Sequence, residues 1–281
     1  MKVKFRNFLR NRLQKGTPLF SALEFCHDYL WKRFPSIFSW GINKTRIEID
    51  LTSQCTLKCF NCNRAVKHAP SSEIILPEQI GRFMNQSIEL NWKWKLIVLI
   101  GGEPTLHPHI FDILDILKPY KTSFPGSVIA VATNGYGRHV NDVLANLPAW
   151  VYIANSKKTT HINSFQSYND APIDARNYQG EDFSRGCRLV EICGLSLTRH
   201  GLYCCGPGAN VDRVFGFDVG IKKLADLDDK NLKTQLALLC KYCGHYKYNY
   251  AEKEISVEKI SPSWQVAFEK YNKCKPRLSL Y

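Results

Sequence analysis

A short alternating run, Thr45 to Leu51 with Ile47 and Ile49 on one face, leads directly into Thr52 to Arg64, in which Cys55, Cys59 and Cys62 stand at C-x3-C-x2-C. Period-two alternation marks a strand, so this spacing predicts a strand whose carboxyl end delivers three thiols to one place. Such a loop can fold round a soft metal centre but is too short to supply a fourth ligand of its own. A structural zinc closes with four protein ligands, whereas a cuboidal iron-sulfur cluster on three cysteines keeps one iron open to a cofactor or substrate. A zinc loop and plain buried thiols are the competing readings of these three residues.

The pattern of strand, turn and helix then repeats. Pro77 to Asn91 reads as a helix with Pro77 in its first turn and Ile80, Phe83, Met84 and Ile88 on one face. Leu96 to Ile100 is an apolar strand ending at Gly101-Gly102-Glu103-Pro104, followed by a helix from His109 to Leu117. Ser127 to Thr133 is a third strand, closed by Asn134-Gly135, with a helix from His139 to Leu147. Trp150 to Ala154 is a fourth strand, ending at Asn155-Ser156. Alternating strands and helices predict a parallel sheet, and in a (β/α) barrel the reactive groups stand at the carboxyl ends of the strands. About thirty residues separate Lys157 from Cys187, room for one further unit, so the expected barrel is abbreviated. The polar stretch His161 to Arg185 is expected to be a substrate-facing loop or a connector.

The cysteine spacing, with Phe60 after the second cysteine and the GGEP turn after the next strand, resembles the radical S-adenosylmethionine (radical SAM) superfamily. The resemblance implies a [4Fe-4S] cluster on Cys55, Cys59 and Cys62 whose free iron binds S-adenosyl-L-methionine, reductively cleaved to a 5'-deoxyadenosyl radical. It implies cofactor contacts from Gly101, Gly102 and Glu103, with Glu103 receiving the methionyl amino group. Asn134 and Ser156, at later strand ends, are candidates for the adenosyl part.

A second cysteine-rich stretch follows. Leu195 to Leu197 and Leu202 to Cys205 read as a β-hairpin, and Asn231 to Leu239 as a helix leading into Cys240-Lys241-Tyr242-Cys243. Four thiolates close a metal site, with zinc an alternative to a cluster. The arrangement resembles the twitch domain, the short form of the SPASM domain, and its layout is nearest to the radical SAM dehydrogenases of aminocyclitol biosynthesis. That likeness implies an auxiliary [4Fe-4S] cluster on Cys187, Cys205, Cys240 and Cys243. Adjacent strand residues face opposite ways, so only one of Cys204 and Cys205 is expected to ligate.

The fold expectation is therefore α/β: an abbreviated (β/α) partial TIM barrel with a small C-terminal cysteine-rich hairpin and helix domain. Its parts are a basic amphipathic leader (1–44), the barrel (45–186), the auxiliary unit (187–246) and a tail (247–281). With 281 residues, 44% hydrophobic, the chain can bury a full core, and eleven cysteines without a signal peptide point to reduced thiols in the cytoplasm. Much of the formal charge of +13 lies in residues 1–46, the leader and the two residues after it, whose ten Lys or Arg face only Glu24 and Asp28. Barrel capping, peripheral contact with the inner face of the membrane, and RNA contact are its three readings, nucleic acid the least favoured.

The functional expectation is oxidation of a small hydroxylated substrate, sugar or cyclitol-like, with the auxiliary cluster taking an electron and a flavodoxin or ferredoxin-type protein as reductant. An epimerase with Cys193 or Cys204 as hydrogen donor, or a peptide- or RNA-modifying enzyme, is the alternative. The sequence names neither the substrate nor a catalytic base.

Overall fold

The computed structural model describes residues 41–247 and 258–281. Most of the leader, Cys26 included, lies outside them. The elements are β1 (Arg46–Thr52), α1 (Pro77–Glu89), β2 (Leu96–Gly101), α2 (Ile110–Ser123), β3 (Val128–Thr133), α3 (Arg138–Ala145), β4 (Tyr152–Asn155), the single turn α4 (Leu189–Ile192), β5 (Leu195–Thr198), β6 (Gly201–Tyr203), α5 (Gly206–Phe215), α6 (Asp229–Leu239) and α7 (Pro262–Lys273).

The six strands form one sheet in the order β4-β3-β2-β1-β5-β6. β1 to β4 are parallel and adjacent in chain order, each joined to the next through a helix, which is the winding of a partial (β/α) barrel. β5 pairs in parallel with the other side of β1, and β6 returns antiparallel to β5. The hairpin expected in the C-terminal unit thus extends the barrel's own sheet.

Alternation decides what each side of β1 carries. Ile47, Ile49 and Leu51 are fully buried in one core with Ile80, Phe83 and Met84 of α1 and Ile113, Leu114 and Leu117 of α2. Each such side chain contributes about 1.5–3 kcal/mol by leaving water. The opposite, inner side of β1 carries Arg46, Glu48, Asp50 and Thr52, where barrels ordinarily hold branched apolar residues.

Several elements depart from expectation. α2 continues past Pro119 to Ser123. Tyr120, fully buried, anchors that extra turn: its hydroxyl donates to the Trp92 carbonyl at 2.8 Å and accepts from the Trp94 amide at 2.8 Å. The segment between β4 and α4 holds three short 3-10 turns and no strand. It is not a surface loop throughout, because Ser167 to Ala171 are buried. α5 begins Gly206-Pro207-Gly208, a sequence that reads as a turn, yet Pro207 suits a helix's first turn and Cys205 caps it. The tail contributes α7, whose Tyr271 hydroxyl accepts from buried Arg213 at 2.7 Å.

Candidate cysteine and cofactor site

The cysteine loop and the GGEP turn are laced together by backbone. Gly102 donates its amide to the Thr52 carbonyl at 2.8 Å, and Glu103 to that of Gln54 at 2.7 Å. Gly101 has φ +142°, and a Cβ added there would lie 2.4 Å from the Thr52 oxygen; at Gly102 it would lie 2.1 Å from the Gln54 oxygen. The glycines, expected to admit a ligand, are thus required first by the backbone of the cysteine loop. Gly102→Ala is expected to cost about 2–4 kcal/mol through this backbone clash, read as a lowered Tm; an unchanged Tm would show that the loop gives way freely.

Glu103 is fully buried at the floor of this junction. Its Oε1 accepts from the Thr105 amide (3.3 Å), the Thr105 hydroxyl (2.8 Å) and the Thr133 hydroxyl (2.8 Å), while Oε2, among the described residues, accepts only from the Asn134 amide at 2.9 Å. One oxygen is therefore saturated by the protein and the other keeps acceptor capacity. The Asn134 side chain reaches the cysteine loop, with Nδ2 3.1 Å from the Thr56 hydroxyl and 3.7 Å from Cys55 Sγ. Ser156 turns back instead, its hydroxyl donating to the Thr133 carbonyl at 3.1 Å.

The cysteines are all unpaired by disulfides among the described residues. Burial pushes the Cys55 thiol up to about 12, with the neighbouring Cys62, Glu103 and Cys59 adding to the rise. Burial likewise raises Cys62. These thiols hold their protons until a metal displaces them, so loading releases protons.

The second set gathers around Cys205. Burial pushes Cys187 up to about 12 and raises Cys240 and Cys243 strongly; Cys187 and Cys205 lie within electrostatic reach of both of the latter. Cys204 and Cys205 do not point to opposite faces as a continuing strand demands. β6 stops at Tyr203, Cys205 becomes the cap of α5, and the Cys204 thiol donates to the Cys205 sulfur, which also accepts from the Gly208 amide at 3.3 Å. The Cys205 thiol is accordingly lowered and that of Cys204 raised. Cys193 lies beside this set, within reach of Glu48, Arg64 and Cys205, while Cys274 is exposed. Among the described residues no three His, Cys, Asp or Glu side chains close round a single metal-ion position. The donor chemistry suits the expected groups: three soft thiols after one strand end, and four in the second set.

Sequence reading missed what joins the sets. Lys58 and Phe60 donate their amides to the His161 (3.0 Å) and Asn163 (2.7 Å) carbonyls, and a few residues on the Tyr168 carbonyl accepts from Gly244, next to Cys243, at 2.8 Å. A Cβ on Gly244 would lie 2.0 Å from the Ser167 oxygen. Polar composition disguised this strap; its legible signals were Gly244 and the aromatic Tyr168.

No protein-family model matches the chain. It is 33% identical over 101 residues to the "Probable GTP 3',8-cyclase" of Pyrococcus horikoshii, a match covering 36% of this chain and 30% of that protein. The protein of the same description from Thermococcus kodakarensis is 31% identical over 96 residues, covering 34% and 29%. "Molybdenum cofactor biosynthesis protein 1" of Drosophila melanogaster is 31% identical over 125 residues, covering 44% and 21%. The chain thus spans less than a third of the length of these relatives. Among solved structures, BtrN in complex with AdoMet and 2-DOIA aligns with a TM-score of 0.45 and 15% identity, over 74% of this chain and 97% of that one. The three-cysteine strand end locked to a GGEP turn and these partial matches together support a radical SAM enzyme.

Proposed function

We propose that the protein is a radical SAM oxidoreductase that removes hydrogen from a small hydroxylated substrate, with an auxiliary [4Fe-4S] cluster on Cys187, Cys205, Cys240 and Cys243. The observation that carries this reading is the second thiol set, buried and tied to the first cysteine loop by the strap through Tyr168. When bound, S-adenosyl-L-methionine and its cluster supply a 5'-deoxyadenosyl radical, and the auxiliary cluster supplies an electron acceptor. The chain's own residues do the rest. Glu103 Oε2 offers an acceptor to a cationic amino group, while Thr105, Thr133 and Asn134 hold the carboxylate still. The inner side of β1 gives the barrel a charged wall, and Ser196, opposite Glu48 on β5, keeps a buried hydroxyl without a partner among the described residues; such a wall favours a polar substrate over an apolar one.

Epimerisation is the second reading. Its hydrogen donor would be Cys193, because the Cys204 thiol is fully buried and engaged with Cys205. The match to the cyclases leaves most of this chain uncovered and does not favour their activity here. A flavodoxin or ferredoxin-type reductant remains part of the proposal, as does peripheral membrane contact through the leader; no described helix is long and apolar enough to cross a membrane.

Anaerobic reconstitution tests the reading. About eight irons per chain are expected for two clusters. About four irons with one zinc would make the second set structural and remove the electron acceptor, leaving oxidation without its physical basis.

A further inference from the structure

Arg64 lies two residues after Cys62, and its side chain is only 7% exposed. All three of its nitrogens are engaged: Nη2 with Glu48 Oε2 at 2.8 Å, Nε with Asp50 Oδ1 at 3.2 Å, and Nη1 with Asn63 Oδ1 at 3.1 Å. Its backbone is held as well, the carbonyl accepting from Arg213 at 2.8 Å. The same guanidinium is pressed against the residue that follows Cys205. A Cβ on Gly206 would stand 2.9 Å from Arg64 Nη2 and 2.8 Å from Glu48 Oε2, so a side chain there would have to displace the ends of the pair. One buried ion pair therefore touches the chain at the edge of both cysteine sets.

We propose that the Arg64–Glu48 pair is a positioning element that sets the reduction potentials of the two centres together, with Arg64 raising them and Glu48 lowering them. This deepens the two-cluster reading and rests on it. A reduced cluster carries one more negative charge than an oxidised one, so a fixed positive charge nearby stabilises the reduced form and a fixed negative charge destabilises it. Both charges are buried, where counter-ions screen them little. The position suits the function, because an electron leaving a substrate lodged between the centres needs the second to accept it while the first stays reducing enough to be used.

The experiment is an EPR-monitored redox titration of the full-length, anaerobically reconstituted protein, comparing wild type, Arg64→Gln and Glu48→Gln. It is run at alkaline pH, so that carboxylates freed from the guanidinium keep their charge. Arg64→Gln is expected to shift both midpoint potentials down and Glu48→Gln to shift them up, with iron content unchanged. A merely structural role moves both variants the same way or neither, and either result overturns the proposal. Should Arg64→Gln fail to fold, the sign of the Glu48→Gln shift still decides. Wild-type protein with only four irons would sink the two-cluster reading itself; eight irons with unmoved potentials would sink the Arg64–Glu48 proposal alone.

Discussion

Glu103→Gln is expected to weaken S-adenosyl-L-methionine binding by roughly ten- to a hundredfold and to suppress 5'-deoxyadenosine formation correspondingly, the loss of one charge-assisted hydrogen bond. Glutamine keeps the length and planarity of the side chain but removes the charge that a cationic amino group would meet at Oε2. The argument depends on the asymmetry of the two oxygens: Oε1 carries three donors from Thr105 and Thr133, and Oε2 one from Asn134. The glutamine NH2 cannot accept from the Asn134 amide, so a fall in Tm is also expected and must be measured separately. Equilibrium binding to the reconstituted variant decides the matter. Affinity within twofold of wild type, with the cluster intact, would mean that Glu103 serves only to brace the turn.

The second large effect separates the vicinal cysteines. Cys205→Ser is expected to lose about four irons per chain, and Cys204→Ala to keep the full complement. Cys205 stands at the start of α5, where the Gly208 amide and the Cys204 thiol both donate to its sulfur, an environment that favours thiolate and hence metal binding. Cys204 is the donor in that pair, and its amide is held by Gln235 at 2.8 Å within a sealed interior. Iron and zinc analysis of the two variants, with the absorbance of the reconstituted protein, reads the outcome. Loss in Cys204→Ala with retention in Cys205→Ser would transfer the ligand to Cys204.

The legible parts of the molecule were local. Ile47, Ile49 and Leu51 announced β1 by alternation, Leu96 to Ile100 announced β2 as an apolar run, and the motifs at their ends are neighbours because β1 and β2 are adjacent parallel strands. Helix ends were less legible, since Pro119 signals a stop that the buried Tyr120 hydroxyl overrides. What stayed hidden depends on partners distant in sequence. Nothing near Leu195 says that its strand joins the free side of β1, and Gly206-Pro207-Gly208 conceals a helix whose start is fixed by Cys205. Arg64 reads as an ordinary basic residue after a cysteine until Glu48, Asp50 and Gly206 close round it. The expectation that Cys204 and Cys205 face opposite ways rested on strand geometry, and the strand ends at Tyr203, too early to hold them apart.

The placement of β5 beside β1 also fixes an order of assembly. β1 to β4 can pair as they are made, since each meets the strand just before it, whereas the far side of β1 waits for Leu195 to arrive. Until then a nascent or truncated chain presents the open backbone of Ile47 to Ile49 as an edge ready to pair with another molecule. Closing it requires a long loop to be drawn in, which makes docking of the hairpin a slow step. The three thiols of the cysteine loop are thus made long before β5 reaches the far side of β1.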